Sequence, residues 1–230
     1  MTPLAFMQRR ATPVRLVIFD CDGVLVDSEP LSDQVVAASL TQLGWLMTPA
    51  QSNALFLGRT LVDMVPVIET RLGRPLPPDW RETIVRDFLA RVAIDLQPIP
   101  GAIEALDALT AMGIPWRIAS NSSHEEMAGK FAKVGLTTRA DGRTHSHRDV
   151  ARGKPAPDLF LATAAAQGVL PADCVVIEDS VPGVTAAQAA GMDCLAYAAH
   201  GDAAALRAAG AVPFQSMTAL PALIAAGLRP

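Results

Sequence analysis

Four short polar clusters hold the residue types that could do chemistry in this chain. Asp20-Cys21-Asp22-Gly23 sets two carboxylates one residue apart and follows them with a glycine, and Glu178-Asp179-Ser180 offers two more acids beside a hydroxyl. Between them in sequence lie the hydroxyl run Ser120-Asn121-Ser122-Ser123 and the segment Gly153-Lys154-Pro155. Four carboxylates brought into one crevice cannot all ionise without a counter-charge, because like charges raise one another's pKa. A hard divalent cation resolves this, and Mg²⁺ favours a few carboxylate oxygens together with waters and a phosphate. A lysine and the Ser120 hydroxyl would then share the charge and hydrogen bonds of a bound phosphoryl group. One carboxylate could attack phosphorus, and a second, two residues on, could protonate the leaving oxygen and later activate water. Taken alone, Asp-x-Asp-Gly equally describes a turn or a calcium-type loop, and the serine run equally describes a helix N-cap.

The elements needed to gather these clusters can be read from apolar runs. Val14–Phe19, Pro115–Ala119, Cys174–Ile177 and Cys194–Ala198 are short, nearly unbroken apolar segments, the pattern of strands buried on both faces of a parallel sheet. The three clusters Asp20–Gly23, Ser120–Ser123 and Glu178–Ser180 each follow one such run. Helical spacing fills Ala102–Met112, Glu125–Val134 and Pro157–Gln167, with Gly113, Gly135, Gly168 and Gly191 placed as C-terminal caps. Alternating strand and helix predicts an α/β fold with a doubly wound, Rossmann-like parallel sheet, whose ligands bind beyond the carboxyl ends of the strands.

About 95 residues separate the first two runs, far more than one crossover needs. Leu31–Leu43, Leu61–Leu72 and Trp80–Ile94 read as helices there, which predicts an inserted all-helical cap domain over residues 28–95. The α/β core then takes residues 14–27 and 96–230, with hinges near Val26–Pro30 and Leu96–Gly101, and residues 1–13 read as a disordered leader.

Composition narrows the function classes. The chain has 230 residues, half of them apolar, enough for a sizeable core. A net charge of −4, no basic run and few aromatics argue against nucleic acid as a partner. No apolar stretch reaches the roughly 18 residues of a membrane helix, so no membrane partner is expected. Three cysteines without metal-type spacing fit reduced thiols and a cytoplasmic location. His145 and His147 alternate within Arg143–Asp149, but nothing nearby completes a metal set, so that segment reads as exposed.

The ordered set of clusters resembles the four motifs of the haloacid dehalogenase (HAD) superfamily. Phe19-Asp20-Cys21-Asp22-Gly23-Val24-Leu25-Val26-Asp27-Ser28 is similar to its first motif, Ser120-Asn121 to its second, Lys154-Pro155 to its third and Glu178-Asp179 to its fourth. The helical insertion resembles the cap of the phosphoglycolate phosphatase and β-phosphoglucomutase branch. The resemblance implies Asp20 as nucleophile and Asp22 as general acid/base. It also implies Mg²⁺ on the Asp20 carboxylate, the Asp22 carbonyl and Asp179 with Glu178 beside them, and a phosphoryl group on Ser120, Asn121 and Lys154. Mn²⁺ is the alternative metal.

The activity implied is hydrolysis of a small phosphorylated metabolite, a sugar phosphate or similar, through an aspartyl-phosphate, by a monomer or weak homodimer. Asp22 argues against a dehalogenase, whose leaving halide needs no proton. The absence of lysine from Ser28–Asp95 argues against a phosphonoacetaldehyde hydrolase. A β-phosphoglucomutase-type activity stays as the alternative, although Ser32 and Leu61 stand where that enzyme's cap histidine and arginine are expected. A catalytically silent ligand- or protein-binding member is the alternative of another class. In the cap, Gly58-Arg59-Thr60 matches the position of the family's substrate-contacting loop, so Arg59 and Glu29 are candidate substrate contacts, a solvated surface being the other reading of each.

Overall fold

In a computed structural model, which describes residues 1–56, 59–199 and 201–227, the chain divides into two compact units. One comprises Met1–Val26 and Pro98–Pro230, the other Asp27–Gln97, beside the 28–95 read from the sequence.

The first unit is built on a six-stranded sheet, parallel throughout: β1 (Leu16–Phe19), β2 (Trp116–Ser120), β3 (Thr144–Ser146), β4 (Cys174–Glu178), β5 (Asp193–Tyr197) and β6 (Val212–Phe214). Their order is β3-β2-β1-β4-β5-β6. The chain therefore winds outward in one direction from β1 to β3, then returns to the other side of β1 and winds outward again. Every residue of β1 and of β4 is buried, as expected of strands covered on both faces. Side chains alternate between the faces. Leu16 and Ile18 join Phe160, Val176 and Val184 in one core layer, while Phe19 meets Trp116 edge-on with ring centroids 6.4 Å apart. Full burial of each such side chain stabilises the fold by roughly 1.5–3 kcal/mol.

Two strands were not expected from the sequence. β3 and β6 are three residues each, at the two edges, where a short segment has neither the length nor the apolar continuity to stand out. One consequence corrects the reading of His145 and His147. His145 lies on β3, half-buried, with Nε2 3.1 Å from Arg117 Nη1, and His147 opens a 3₁₀ turn with its Nδ1 buried and without a partner among the described residues. Neither is an exposed loop residue.

The leader is also corrected. Pro3–Gln8 forms a helix capped by the Thr2 hydroxyl, Met7 is 1 % exposed, and a Cβ at Gly227 would meet its methyl group. Arg10 is buried in an ion pair with Asp193 and donates to the Ala172 carbonyl at 2.7 Å. Burying an arginine side chain requires such pairing.

The second unit holds the helices Glu29–Gln42, Pro49–Phe56, Leu61–Leu72 and Trp80–Asp95. The second of these was not expected, because Pro49 read as a break; it stands at the first helical position, where proline costs nothing. Thr60 and Asp63 form a reciprocal capping box at the start of the third. Val36, Leu40, Phe56, Ile68, Trp80 and Ile84 make the core of this unit, and the Trp80 indole donates to Ser39 Oγ at 2.9 Å. Among the described residues no helix is long and apolar enough to cross a membrane.

Candidate active site

The winding direction reverses at β1, and open α/β sheets place their ligand crevice at that switch point, beyond the carboxyl ends of the strands. Asp20 is the residue after β1, Glu178 ends the neighbouring β4, Ser120 ends β2, and Lys154 lies in the connection after β3. The register aligns Phe19 with Ile177, and the Asp20 amide donates to the Ile177 carbonyl at 2.9 Å, so the acids of β1 and β4 leave the sheet side by side.

Lys154 ties them together. Its Nζ donates to Asp20 Oδ1 at 2.6 Å and to Glu178 Oε1 at 2.7 Å, and all three side chains are buried. The other Glu178 oxygen, Oε2, accepts from the amides of Asp179 and Ser180 at 3.0 Å and from the Ser180 hydroxyl at 2.9 Å. Glu178 is thus a fixed hub, with no exposed surface of its own. Burial pushes the Asp20 carboxyl up to about 7; Lys154 opposes this, while Glu178 and Asp22 add to it. Burial works against the charge on Lys154, but Asp20 and Glu178 more than offset it and raise its pKa.

Carboxylate oxygens of Asp20, Glu178 and Asp179 lie within 4.8 Å of one another. Three carboxylates against one ammonium leave an excess of two negative charges, in an oxygen-only donor set that suits a hard divalent cation. A second observation fits the same ion. Gly23 has φ +71°, and a Cβ placed there would collide with the Asp179 carboxylate, its Cγ being 2.5 Å away. The absent side chain forms the cradle in which that acid stands. The turn that presents it closes locally: the amides of Leu25 and Val26 donate to the Cys21 carbonyl, and the Gly23 amide donates to Val26. The residues present fit the metal.

Asp20, Lys154, Glu178 and Asp179 are therefore gathered in one cluster, with the Ser120 hydroxyl buried at the end of β2, accepting from the Ser122 amide at 3.1 Å. Asn121 is placed differently from expectation. Its side-chain amide donates to the Lys154 carbonyl at 3.0 Å and accepts from the Lys154 amide at 2.9 Å, so it positions the lysine through one bond from each of its two polar atoms. Asp22 is half-buried, and its carboxylate accepts from Lys130 Nζ at 2.7 Å on both oxygens and from Ser122 Oγ at 3.0 Å.

Lys130 and Ser122 are not among the residues singled out by the sequence, where the serine run equally describes a helix N-cap. Ser123 alone makes the capping box of the following helix, its amide donating to Glu126 Oε2 at 2.6 Å. A signal did exist: Lys130 stands three residues after Met127 and one before Phe131, on the apolar stripe of its helix.

In the helical unit, Glu29 and Arg59 line one small cavity of about 220 Å³ together with Ser32, Asp33, Ser52 and Asn53. Arg59 is itself exposed, and Gly58 lies outside the described residues.

Comparison with known proteins follows the same lines. The chain is 29% identical to the 6-phosphogluconate phosphatase of Escherichia coli (strain K12) over 81% of its own length and 83% of the relative's. It is 30% identical to hexitol phosphatase A of the same organism, over 80% and 83% respectively. Among solved structures, a HAD family hydrolase from Deinococcus radiodurans R1 with bound phosphate and sodium matches with a TM-score of 0.83 and 36% identity, covering 95% of this chain and 99% of that one. These likenesses set the chain beside the phosphatases of its family. Residues 14–191, spanning β1 through β4 and the helical insert, match the model of the haloacid dehalogenase-like hydrolases, and the chain belongs to that family.

Proposed function

We propose that this enzyme is a Mg²⁺-dependent phosphatase of phosphorylated sugars or their open-chain polyol and acid relatives. The observation that carries the reading is the bridge from Lys154 to both Asp20 and Glu178, with Asp179 in the same oxygen cluster. One cation and three acids around a strand end are what an attacking carboxylate and a transferring phosphoryl group require. The metal would be held by the Asp20 and Asp179 carboxylates and the Asp22 carbonyl with Glu178 beside them. When bound it supplies positive charge that offsets the excess of acid, favours ionised Asp20 and neutralises phosphoryl oxygens.

Asp20 attacks phosphorus, the ester P–O bond breaks, and Asp22 gives its proton to the departing alkoxide. Water then attacks the aspartyl-phosphate, the bond between phosphorus and the Asp20 oxygen breaks, and Asp22 takes a proton from that water. Lys154 and the Ser120 hydroxyl hold the phosphoryl oxygens through both transfers, and Asn121 holds Lys154. Glu29 and Arg59, on one cavity of the helical unit, are the candidates for selecting the rest of the substrate. The sugar class rests on the two relatives named for 6-phosphogluconate and hexitol phosphates.

The test is phosphate release with Mg²⁺ across a panel of sugar, polyol and sugar-acid phosphates, with β-glucose 1-phosphate run with and without its bisphosphate. Free phosphate from a narrow group, absent in Asp20→Asn, is the expected result. Glucose 6-phosphate formed without free phosphate would make the enzyme a mutase, and an inert wild type would make it a silent binder.

A further inference from the structure

Lys130 occupies a place where a lysine is costly. Its helix, His124–Val134, buries Met127, Lys130 and Phe131, and Lys130 is 3 % exposed. A buried ammonium costs several kcal/mol unless it is paired and fully hydrogen-bonded. The pairing here is complete: Nζ donates to Asp22 Oδ1 and Oδ2, both at 2.7 Å, and to Ser122 Oγ at 2.9 Å. Ser122 Oγ in turn donates to Asp22 Oδ2 at 3.0 Å, which closes a triangle of three side chains from three segments. Burial works against the charge on Lys130, but Asp22 more than offsets it.

Stability alone gives no reason for a lysine there. Apolar side chains in place of the whole Lys130–Asp22 pair would continue the stripe of Met127 and Phe131 without desolvating an ion, and such replacements of both partners are often neutral or stabilising, whereas losing one partner alone is costly. What the ammonium adds is geometry. The carboxyl torsion of an aspartate is broad and roughly two-fold, so an unrestrained Asp22 would sample many orientations. An ammonium shared between both oxygens, with a hydroxyl on one of them, removes that freedom. Misplacing a reacting group by about 1 Å can cost on the order of 10²-fold in rate.

We propose that Lys130 is a positioning residue for the reaction: with Ser122 as second anchor, it fixes the Asp22 carboxyl group at the place from which Asp22 exchanges protons with the leaving oxygen and with water. The proposal rests on the reading of Asp22 as acid and base given above.

The experiment measures kcat/KM of Lys130→Met over phosphate monoesters, from an activated aryl phosphate to an alkyl phosphate. An aryl oxide leaves without a proton and an alkoxide does not, so a misplaced acid is felt only at the alkyl end. Lys130→Met is expected to lose about 10- to 100-fold on the alkyl ester and no more than about threefold on the aryl ester, a portion of the factor that acid–base catalysis contributes. Ser122→Ala is expected to fall in the same direction by less, and it decides the matter if Lys130→Met does not fold. A loss of equal size across the series, or no loss, overturns the proposal, because a merely structural lysine would not distinguish leaving groups. Asp22→Asn is the reference. If it discriminates while Lys130→Met does not, only the role of Lys130 fails; if it does not discriminate, the assignment of Asp22 fails and takes the proposal with it.

Discussion

Replacing Gly23 by alanine separates metal binding from folding more cleanly than removing an acid would. Two effects follow from one methyl group. At φ +71° the new residue sits in the left-handed region, at a cost of about 1–2 kcal/mol, partly offset by about 0.4–1 kcal/mol of lost freedom in the unfolded chain. The net loss of about 1 kcal/mol corresponds to roughly 2–4 °C in melting temperature for a chain of this size. The second effect falls on Asp179. Its Cγ stands 2.5 Å from the new Cβ, against about 3.5–4.0 Å for a relaxed carbon–carbon contact, so the carboxylate must retreat by about 1 Å. Mg²⁺ holds its oxygens at about 2.0–2.1 Å in near-ideal octahedral geometry, and a ligand moved that far no longer coordinates. Metal affinity should then fall by at least about 10- to 100-fold, the range seen even for outer partners of a metal site. The assay is thermal unfolding during a Mg²⁺ titration, with the Mg²⁺ dependence of phosphate release alongside. A wild type holding Mg²⁺ at 100 times its Kd gains about 2.7 kcal/mol, or roughly 5–10 °C, and at the same concentration the variant should gain no more than about 1.4 kcal/mol after a 10-fold loss of affinity and about 0.4 kcal/mol after a 100-fold loss. A variant that binds Mg²⁺ with wild-type affinity would refute the cradle argument, since the methyl would have been absorbed without moving Asp179.

Gly183→Ala makes the complementary prediction. Its Cβ would overlap the Glu178 carboxylate, which is held by Lys154, two main-chain amides and the Ser180 hydroxyl and has nowhere to swing. A stability loss of about 1–3 kcal/mol, from overpacking a filled site, should appear in denaturant unfolding without metal; a wild-type midpoint would contradict it. Chelator-treated protein should also show a pH dependence traceable to Asp20. The folded carboxyl titrates at about 7 against an ordinary 3.8, so between those values the folded chain holds a proton that the unfolded chain has released. Stability from this group is present below the lower value and is lost as pH rises to the upper one, by at most about 1.4 kcal/mol per pH unit. His145, whose pKa is lowered first by burial and then by Arg117, acts in the opposite sense as pH falls through its ordinary value. The contribution of Asp20 is therefore read as the difference from Asp20→Asn: melting temperatures at pH 5.5 and 7.5 should differ between the two proteins in slope, and equal slopes would exclude the effect.

The centre of the sheet was legible because fully buried parallel strands leave unbroken apolar runs, and the acids at their ends were legible because they interrupt those runs abruptly. Phe19-Asp20 and Ile177-Glu178 are such edges. The helical insert was visible from its length and from the helical apolar spacing of segments such as Trp80–Ile94, as at Ile84, Phe88 and Val92. What escaped notice depended on partners distant in sequence. Arg10 reads as a leader residue until Asp193 and Ala172 are beside it, and β3 and β6 are too short for a period to register. Lys130 escaped for a different reason. Charged residues on amphipathic helices nearly always face water, so one that interrupts an apolar stripe is easily taken for noise. Asn121 was read by its place in a motif, and its bonds to the Lys154 main chain belong to a loop 33 residues away.

Leu25 and Val26 have a neighbour in Pro98 and Ile99: Val26 pairs antiparallel with Pro98, and the Ile99 amide donates to the Leu25 carbonyl at 3.0 Å. To the α/β unit, the excursion of about 70 residues between them is a loop whose two ends are already closed. Loop-closure entropy grows only with the logarithm of length, so an insert of this size costs about 2–3 kcal/mol more than a four-residue turn at the same place. The helical unit repays that from its own core, and its own ends meet in the same way, the Asp27 amide donating to the Gln97 carbonyl at 2.9 Å. A lineage can accordingly trade, enlarge or lose the whole insert in one recombination event, with the strands of the α/β unit keeping a junction at which both chain ends are already paired.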